Sequence, residues 1–400
     1  MALDVVVIGG GILGLATAYR LLERDPDLSL ALVEKERRVA EHQTGRNSNV
    51  LHSGLYYRPG SARSRLCVAG KRDMERYAAE AGIPVLPLGK VVVALDDLEM
   101  GRLRELLDRG RANGLERLEL LGPAELRERE PHVTGVGALL VPGTAVTDFR
   151  RIAERLAEDV RDRAGQLMLG TEARSVRRSG RETVVRTPAG DLAARVVVAC
   201  AGLQSDRVAA SMGLRAPERV VPFRGTYRAL RDGGDELVRG LVYPVPDPSL
   251  PFLGVHFTPQ VDGSVLIGPN AVLAGAREAV SRMSVSPRDL VSSVTHPGVW
   301  RLAARHLRSG LAEVWREVSD RDFLAACRRY VPELERRHLG PATFGTRAQL
   351  LGRDGTLVDD FVIRETQGRI VVLNAPSPAA TASLAIGEVV AGRVREHLRA

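Results

Sequence analysis

The sequence has few cysteines, no long apolar run and no low-complexity segment. Its three cysteines, Cys67, Cys200 and Cys327, stand far apart and form no Cys-x-x-Cys pair. This spacing argues against a disulfide framework or a zinc site and fits a reducing compartment. No apolar run approaches the roughly 20 residues of a membrane-spanning helix, and the N-terminus lacks the pattern of a signal peptide. We therefore expect a cytoplasmic protein without a metal site.

Lysine is also scarce, although the chain is basic. The formal net charge is +8, and apart from Lys35, Lys71 and Lys90 all of the 57 basic residues are arginines. Acidic residues interleave with them, as in RLRELLDRGR, and no dense basic block contains interleaved aromatic residues. Nucleic-acid binding is therefore not expected. A positive field is suited to attract a small anionic or polar substrate, or an acidic membrane surface.

The N-terminal residues predict a strand–helix–strand unit. DVVVIGGG indicates a buried strand and a tight turn, ILGLATAYRLLER a helix, and LSLALVEKE a second strand. The turn carries G-x-G-x-x-G in Gly9, Gly11 and Gly14, and Glu34 ends the second strand about 20 residues later. Glycines there allow a pyrophosphate to approach the helix N-terminus, and the carboxylate accepts ribose hydroxyls. This context predicts a dinucleotide site.

Two later segments favour FAD over NAD. The hairpin ETVVRTPAGDLAARVVVACAGLQSD and the stretch NAPSPAAT before the last helix resemble the second and third cofactor-contacting segments of two-dinucleotide-binding flavoproteins. The N–H groups of that last helix would stabilise negative charge on a reduced flavin. We predict an α/β fold with a Rossmann-like, two-dinucleotide-binding FAD domain (1–85, 145–220 and 342–400). A mixed-sheet substrate domain takes 86–144 and 221–341.

Motifs along nearly the whole chain resemble the L-2-hydroxyglutarate oxidases and dehydrogenases, within the D-amino-acid-oxidase-like flavoproteins. They are HQTG at 42–45, HSGLYY at 52–57, LCVAG at 66–70, PFRG at 222–225, YPVPDP at 243–248, PFLGVHFT at 251–258, GPNAVL at 268–273, HLRSGL at 306–311, RAQ at 347–349 and NAPSPAAT at 374–381. The chain departs from the usual pattern at Arg46 and Asn49, at Thr226, where an acid is usual, and at Gly275, where Phe is common.

The resemblance implies an FAD-dependent oxidoreductase acting on a CH–OH group. Oxidising an L-2-hydroxy acid to the 2-oxo acid requires a hydride path to flavin N5, a base for the hydroxyl proton and a clamp for the carboxylate. His256 and His52 are the candidate bases, and we favour His256, with His52 contacting flavin or substrate. Arg224 and Arg347 are the candidate clamps, because a guanidinium binds a carboxylate bidentately.

The other predicted contacts fall into two groups. Those to the substrate are Tyr56, Tyr57, Asn270, Arg46 and Thr226. Those to FAD are Gly9, Gly11, Ile12, Gly14, Glu34, Lys35, Thr44, Arg46, Asn47, Ser48, Asn49, His52, Ala201, Gly202, Arg347, Pro378, Ala379, Ala380 and Thr381.

Three functions remain open at this point. The first is oxidation of L-2-hydroxyglutarate or a close 2-hydroxy acid. The second is the same chemistry on another alcohol, hydroxy acid or amine in a specialised pathway, suggested by Arg46, Asn49 and Thr226. The third is flavin binding without turnover. The electron acceptor (O2 or a quinone), a covalent link between a histidine and FAD, and a peripheral contact at the inner membrane face also remain open.

Overall fold

The structure, a computed structural model, describes residues 2–248 and 253–399. The motif PFLGVHFT and the proline-rich loop before it therefore lie partly outside the described residues. The helices are α1 Ile12–Arg24, α2 Ala62–Glu80, α3 Asp97–Ala112, α4 Pro123–Arg129, α5 Phe149–Asp162, α6 Ser205–Ser211, α7 Pro287–Val294, α8 Pro297–Arg305, α9 Leu307–Val318, α10 Asp320–Arg328 and α11 Ser383–Arg399. Within the described residues, no helix is long and apolar enough to cross a bilayer.

The strands build three sheets. They are β1 Leu3–Ile8, β2 Leu30–Val33, β3 Val50–Leu51, β4 Val85–Leu86, β5 Lys90–Ala94, β6 Glu119–Leu121, β7 Gly137–Val141, β8 Ala145–Thr147, β9 Gln166–Met168, β10 Ser175–Ser179, β11 Glu182–Thr187, β12 Gly190–Ala199, β13 Arg219–Leu230, β14 Leu241–Pro244, β15 His256–Pro259, β16 Val265–Gly268, β17 Val272–Leu273, β18 Leu339–Leu351, β19 Val362–Thr366 and β20 Arg369–Asn374.

The first sheet has the parallel core expected of a Rossmann-like domain. Its order is β10-β11-β12-β1-β2-β9, and β20 pairs with β12 and with β19. β1 runs parallel to both β2 and β12, and β20 runs parallel to β12. Val5, Val6 and Val7 are fully buried because both faces of this sheet are covered, which explains the unbroken apolar run at the N-terminus.

The second sheet is mixed and has nine strands, in the order β17-β13-β16-β15-β14-β5-β7-β6, with β18 beside β13. β13 and β18 pair along their whole length, from Arg219 opposite Leu351 to Leu230 opposite Leu339. The domain boundary predicted between 341 and 342 falls inside β18, so residues 342–351 are hydrogen-bonded into this second sheet. A small third sheet, β3-β8-β4, joins the segment after β2 to the strand before α5.

In α5, the predicted N-cap and the predicted apolar stripe are both present. The sequence predicts Thr147 or Asp148 as its N-cap, and the Asp148 carboxylate accepts from the N–H groups of Arg150 and Arg151. The predicted apolar stripe of Ile152, Leu156 and Val160 is fully buried. A cap and a 3.6-residue period thus fixed this helix without tertiary information.

α11 packs against α1, and the backbones of the two helices approach each other closely at a glycine. A Cβ on Gly387 would lie 2.8 Å from the backbone of Ala16, whereas a Cβ on Gly392, one and a half turns later, would meet nothing within 4 Å.

We expect Gly387→Ala to lower the free energy of unfolding by about 1–3 kcal/mol, because two helix backbones would have to separate. Gly392→Ala, the matched control, should raise it by up to about 1 kcal/mol through helix propensity alone. Urea unfolding followed by circular dichroism measures both. Equal effects of the two substitutions would show that the α1–α11 contact does not set the stability.

Candidate active site

A cavity of about 1300 Å³ runs from the glycine turn after β1 to the second sheet. Pockets for drug-sized ligands usually measure about 300–1,000 Å³. The cavity therefore has room for a dinucleotide together with a small substrate.

The glycine turn has the geometry that a pyrophosphate needs. Gly9 adopts φ +110°, and a Cβ there would lie 2.4 Å from the Cys200 carbonyl oxygen. A Cβ on Gly14 would lie 1.9 Å from the Gly9 carbonyl oxygen, so Gly14 seats α1 on β1 and does not line the cavity. A Cβ on Gly11 would meet only the Thr44 hydroxyl, at 3.4 Å. Protein packing thus does not demand glycine at position 11, but close approach of a ligand does.

Glu34 is fixed at the end of β2 with its carboxylate at the cavity wall. Oε2 accepts from the Gly10 N–H at 2.6 Å, and Oε1 accepts from the Glu36 N–H at 2.8 Å. At the N-terminus of α1, the Ile12 N–H donates to the Thr44 hydroxyl at 3.1 Å. Both features match the expected contacts to ribose and phosphate, so the residues present fit an FAD.

Lys35 also lines the cavity, but its ammonium is paired. Nζ lies 2.8 Å from Glu278 Oε2 and also bonds to Glu36. Glu36, His42 and Glu278 bring possible ligand atoms within 4.8 Å of one another. The lysine supplies the positive charge that balances this acidic group.

The polar segment after β2 divides into two parts. Arg46, Asn47 and Ser48 line the cavity, and Asn47 Nδ2 holds the turn by donating to the Thr44 carbonyl at 2.6 Å. Asn49 does not line it. Its φ is +59°, and its Nδ2 donates to Gln260 Oε1 at 2.9 Å. The predicted FAD contact of the Asn49 side chain is therefore contradicted, because the left-handed backbone turns that side chain toward the second sheet.

The remaining predicted cofactor segments also reach the cavity. The loop before α11 lines it, and Thr381 ties that loop to β3, accepting from the His52 N–H at 3.1 Å. Further lining residues from the predicted set are Ala201, Gly202, Pro378, Ala379 and Ala380.

His256 lies at the start of β15, buried against Tyr243, with ring centroids 4.1 Å apart. Its Nδ1 is 3.0 Å from the Gly254 carbonyl oxygen. A carbonyl only accepts, so Nδ1 carries the proton and the lone pair is on Nε2. Burial, and then the charges of Arg347 and Lys90, lower the pKa of His256 to about 3. The imidazole is therefore neutral and can accept a proton at Nε2.

His52 lies across the same cavity. Its Nε2 is 3.5 Å from the Ser377 hydroxyl, and its carbonyl accepts from Cys67 Sγ. Burial lowers the pKa of His52 to about 3, with further contributions from the charges of Lys90 and His256. The structure thus brings the two predicted histidines together.

Arg347, from β18, and the predicted aromatic residues Tyr56 and Tyr57 also line this end of the cavity. The positive charge of Arg347 contributes to the low pKa of His256. The guanidinium and the imidazole therefore both line this end of the cavity.

Arg224 is not available as the predicted carboxylate clamp. It is 6% exposed, and Nε and Nη2 each donate to the Glu317 carboxylate at 2.9 Å. Its Nη1 donates to the carbonyls of Ser281 and Arg282 at 3.2 Å. The pair with Glu317 occupies the fork that would have bound substrate.

Thr226 and Asn270, predicted to contact substrate, belong to the same buried network. The Thr226 hydroxyl donates to Glu317 Oε1 at 3.0 Å, and the Thr226 N–H donates to Asn270 Oδ1 at 2.8 Å. Both side chains are about 4% exposed. Those two predicted contacts are therefore contradicted, because the polar groups already have partners within the protein.

Sequence reasoning missed Glu317 and Lys90, which are buried, and Tyr227 and Tyr243, which line the cavity. One signal for Glu317 was present, because Thr226 replaces the usual acid beside Arg224 and leaves that guanidinium to be neutralised from elsewhere. Lys90 stood out only as one of three lysines. The two tyrosines carried no signal that separates a cavity residue from a core residue.

The family model for "FAD dependent oxidoreductase" matches residues 4–393, so the chain belongs to this family of flavoenzymes. Among its relatives is the L-2-hydroxyglutarate dehydrogenase of Indibacter alkaliphilus, 41% identical over 98% of each chain. The Escherichia coli L-2-hydroxyglutarate dehydrogenase is 41% identical over 98% of this chain and 93% of its own. FAD-bound L-α-glycerophosphate oxidase from Mycoplasma pneumoniae shares the fold, with a TM-score of 0.79 and 23% identity over 100% of this chain and 94% of its own.

We expect Glu317→Gln to lower the free energy of unfolding by about 3 kcal/mol, because it leaves the buried Arg224 charge unbalanced. Glu23→Gln is the matched control. The Glu23 side chain is 38% exposed and its partner Arg20 also pairs with Asp73, so the loss should stay below about 1 kcal/mol. Chemical unfolding measures both, and a similar small loss in each would contradict the importance of the buried pair.

Proposed function

We propose that this enzyme oxidises L-2-hydroxyglutarate to the 2-oxo acid. The observation that carries the proposal is the wall shared by His256, with its lone pair on Nε2, and Arg347. It is supported by full-length similarity to L-2-hydroxyglutarate dehydrogenases. Bound FAD supplies the hydride acceptor.

Two residues carry out the steps other than hydride acceptance. Arg347 binds the carboxylate next to the reacting carbon, and His256 Nε2 takes the hydroxyl proton. Burial lowers the pKa of this imidazole to about 3. A carboxylate beside it raises that pKa, because the negative charge favours the imidazolium. Substrate binding thus makes His256 a stronger base, and burial keeps water away from the reacting carbon.

The departure at Thr226 does not favour a different substrate. Glu317 on α9 pairs with Arg224. It therefore provides the negative charge that an acid at position 226 would otherwise provide. Arg46 is exposed at the cavity wall, and its Nε donates to the Glu41 carbonyl at 3.2 Å. Neither change removes a group from the wall formed by His256 and Arg347.

Anaerobic addition of L-2-hydroxyglutarate should bleach the flavin absorbance of the holoenzyme, and the D enantiomer should not, because one face of the carbon must meet the base and the clamp together. In His256→Gln the rate of bleaching should fall by about 10²–10⁴-fold, whereas the dissociation constant of glutarate, read from the flavin spectrum, should change little. Arg58→Met, an exposed change in the loop after β3, is the control. A wild-type holoenzyme that stays oxidised would refute the function.

We also propose a peripheral membrane contact, with a quinone as electron acceptor. An exposed apolar stripe crosses α7 to α9, and both tryptophans of the chain are exposed in this region, Trp300 and Trp315 at 62% each. The stripe consists of Val291, Val294, Trp300, Ala303, Ala304 and Leu307. The Trp300 indole N–H donates to the Val294 carbonyl at 2.8 Å, which joins the helices.

The charges around the stripe favour an anionic bilayer as its partner. Between 279 and 307, the described side chains that are both exposed and charged are Arg288, Arg301 and Arg305. Basic residues beside tryptophan and aliphatic side chains suit the interface of an acidic membrane. Leu302 and Arg305 of α8 also line the cavity, which supports access of a lipid-soluble acceptor to the flavin from this side.

The holoenzyme should co-sediment with phosphatidylcholine vesicles containing phosphatidylglycerol, and less with phosphatidylcholine alone or at high salt. Replacing Trp300 and Leu307 by serine should release it, because the apolar area that inserts is lost. Leu98→Ser, at a residue 67% exposed on α3, should not. Equal binding by the stripe variant and the wild type would contradict the contact, and a preference for O2 over a soluble quinone would contradict the acceptor.

A further inference from the structure

Lys90 is a buried lysine without an acidic partner. It begins β5 and is 1% exposed. Among the described residues, no carboxylate forms an ion pair with it. Its Nζ lies 4.3 Å from the ring centroid of Tyr56 and 5.0 Å from that of Tyr243. A buried charge without a carboxylate partner is costly, so a role outside folding is the simplest reason to keep it.

The two rings stand between Lys90 and the cavity. Tyr56 and Tyr243 both line the cavity, whereas Lys90 does not. Tyr243 also stacks on His256. The ammonium is therefore one aromatic layer behind the wall that receives the substrate, and a field in a low-dielectric interior acts across such a layer.

A hydroxyl in the same place also lacks a partner. Tyr56 Oη is buried and makes no hydrogen bond within the described part of the chain. A phenol that is buried usually finds a hydrogen-bond partner. A carboxylate at this wall would accept from Tyr56 and lie in the field of Lys90, so one ligand group would satisfy both.

We propose that Lys90, acting through Tyr56 and Tyr243, is a positioning residue that selects substrates with a second carboxylate, distal to the one held by Arg347. The inference rests on the proposed function, which supplies the first carboxylate and its clamp. Lys90 does not touch the substrate. It raises the affinity for a dianion and sets the orientation of the chain between the two carboxylates.

The neighbourhood of Lys90 makes this selection depend on pH. Burial lowers the pKa of Lys90 to about 7. The titratable groups around it are Cys67 on α2, His52 and Tyr56 after β3, Tyr243 on β14 and His256 on β15. The charges of Arg63 and Arg347 act on the two histidines of this set.

Those neighbours keep one protonation state near neutral pH. Burial raises the pKa of Cys67 to about 12 and holds those of Tyr56 and Tyr243 above their usual value. His52 and His256 are already neutral. Between about pH 6 and 9, Lys90 is therefore the group in this set that changes charge.

The test uses ligands that bind but do not react. Glutarate carries two carboxylates and pentanoate carries one on the same chain length, and their binding is read from the flavin absorbance of the holoenzyme. Lys90→Met should weaken glutarate binding by about tenfold, equivalent to ~1.4 kcal/mol, and leave pentanoate within about twofold. Lys71→Met, at a lysine paired with Glu75 on α2, should change neither.

The pH profile separates recognition from support of the fold. The dissociation constant of glutarate should rise by about tenfold in total above pH 7 in the wild type, because the ammonium is being lost. It should stay flat in Lys90→Met, and pentanoate should show no such rise in either protein. Two results would overturn the proposal. One is equal weakening of glutarate and pentanoate binding in Lys90→Met, and the other is a glutarate pH profile in the variant that matches the wild-type profile.

The melting temperature of Lys90→Met and ligand binding by Tyr56→Phe distinguish loss of the subsite from loss of the fold. Lys90→Met should keep or raise the melting temperature, because it removes an unpaired buried charge. If it does not fold, Tyr56→Phe tests the same subsite and should weaken glutarate binding alone. Failure of L-2-hydroxyglutarate to bleach the flavin, with glutarate still preferred over pentanoate, would refute the proposed function and leave the role of Lys90 intact.

Discussion

The structure depends on the parallel pairing of β1 between β2 and β12. That pairing brings the carboxyl ends of three strands to one edge, where Glu34, the glycine turn and Ala201 meet. β20 joins the same edge through β12 and delivers the loop before α11. Segments more than 370 residues apart in the chain (Gly9 and Thr381) thus line one cavity because a few buried strands run in the same direction.

The charges that line the cavity differ from one part of it to another. Lys35 and Arg224 are basic side chains whose charges are answered by carboxylates. Around His256, in contrast, the cations Arg347 and Lys90 lower its pKa together with burial. Two positive charges therefore act on His256 at this end of the cavity.

Local patterns predicted much of this fold, because they depend on neighbours in the chain. The glycine turn, the cap of α5 and the buried parallel strand β1 need only spacing and residue type. The site residues that failed depend on distant contacts. Arg224 stands in a glycine-bounded apolar stretch that suggests function, but its partner Glu317 is 93 residues away on a helix. Asn49 was misplaced because a single left-handed residue reverses the direction of a side chain.

β18 has a mechanical consequence. This strand is bonded to β13 along its whole length, and it also touches the cofactor side, where the Ala348 N–H donates to Gln43 Oε1 and Gly345 packs closely against the Arg46 carbonyl. Arg347 lies between these two anchors. Arg347 is therefore held at a fixed position relative to both the second sheet and the loop after β2.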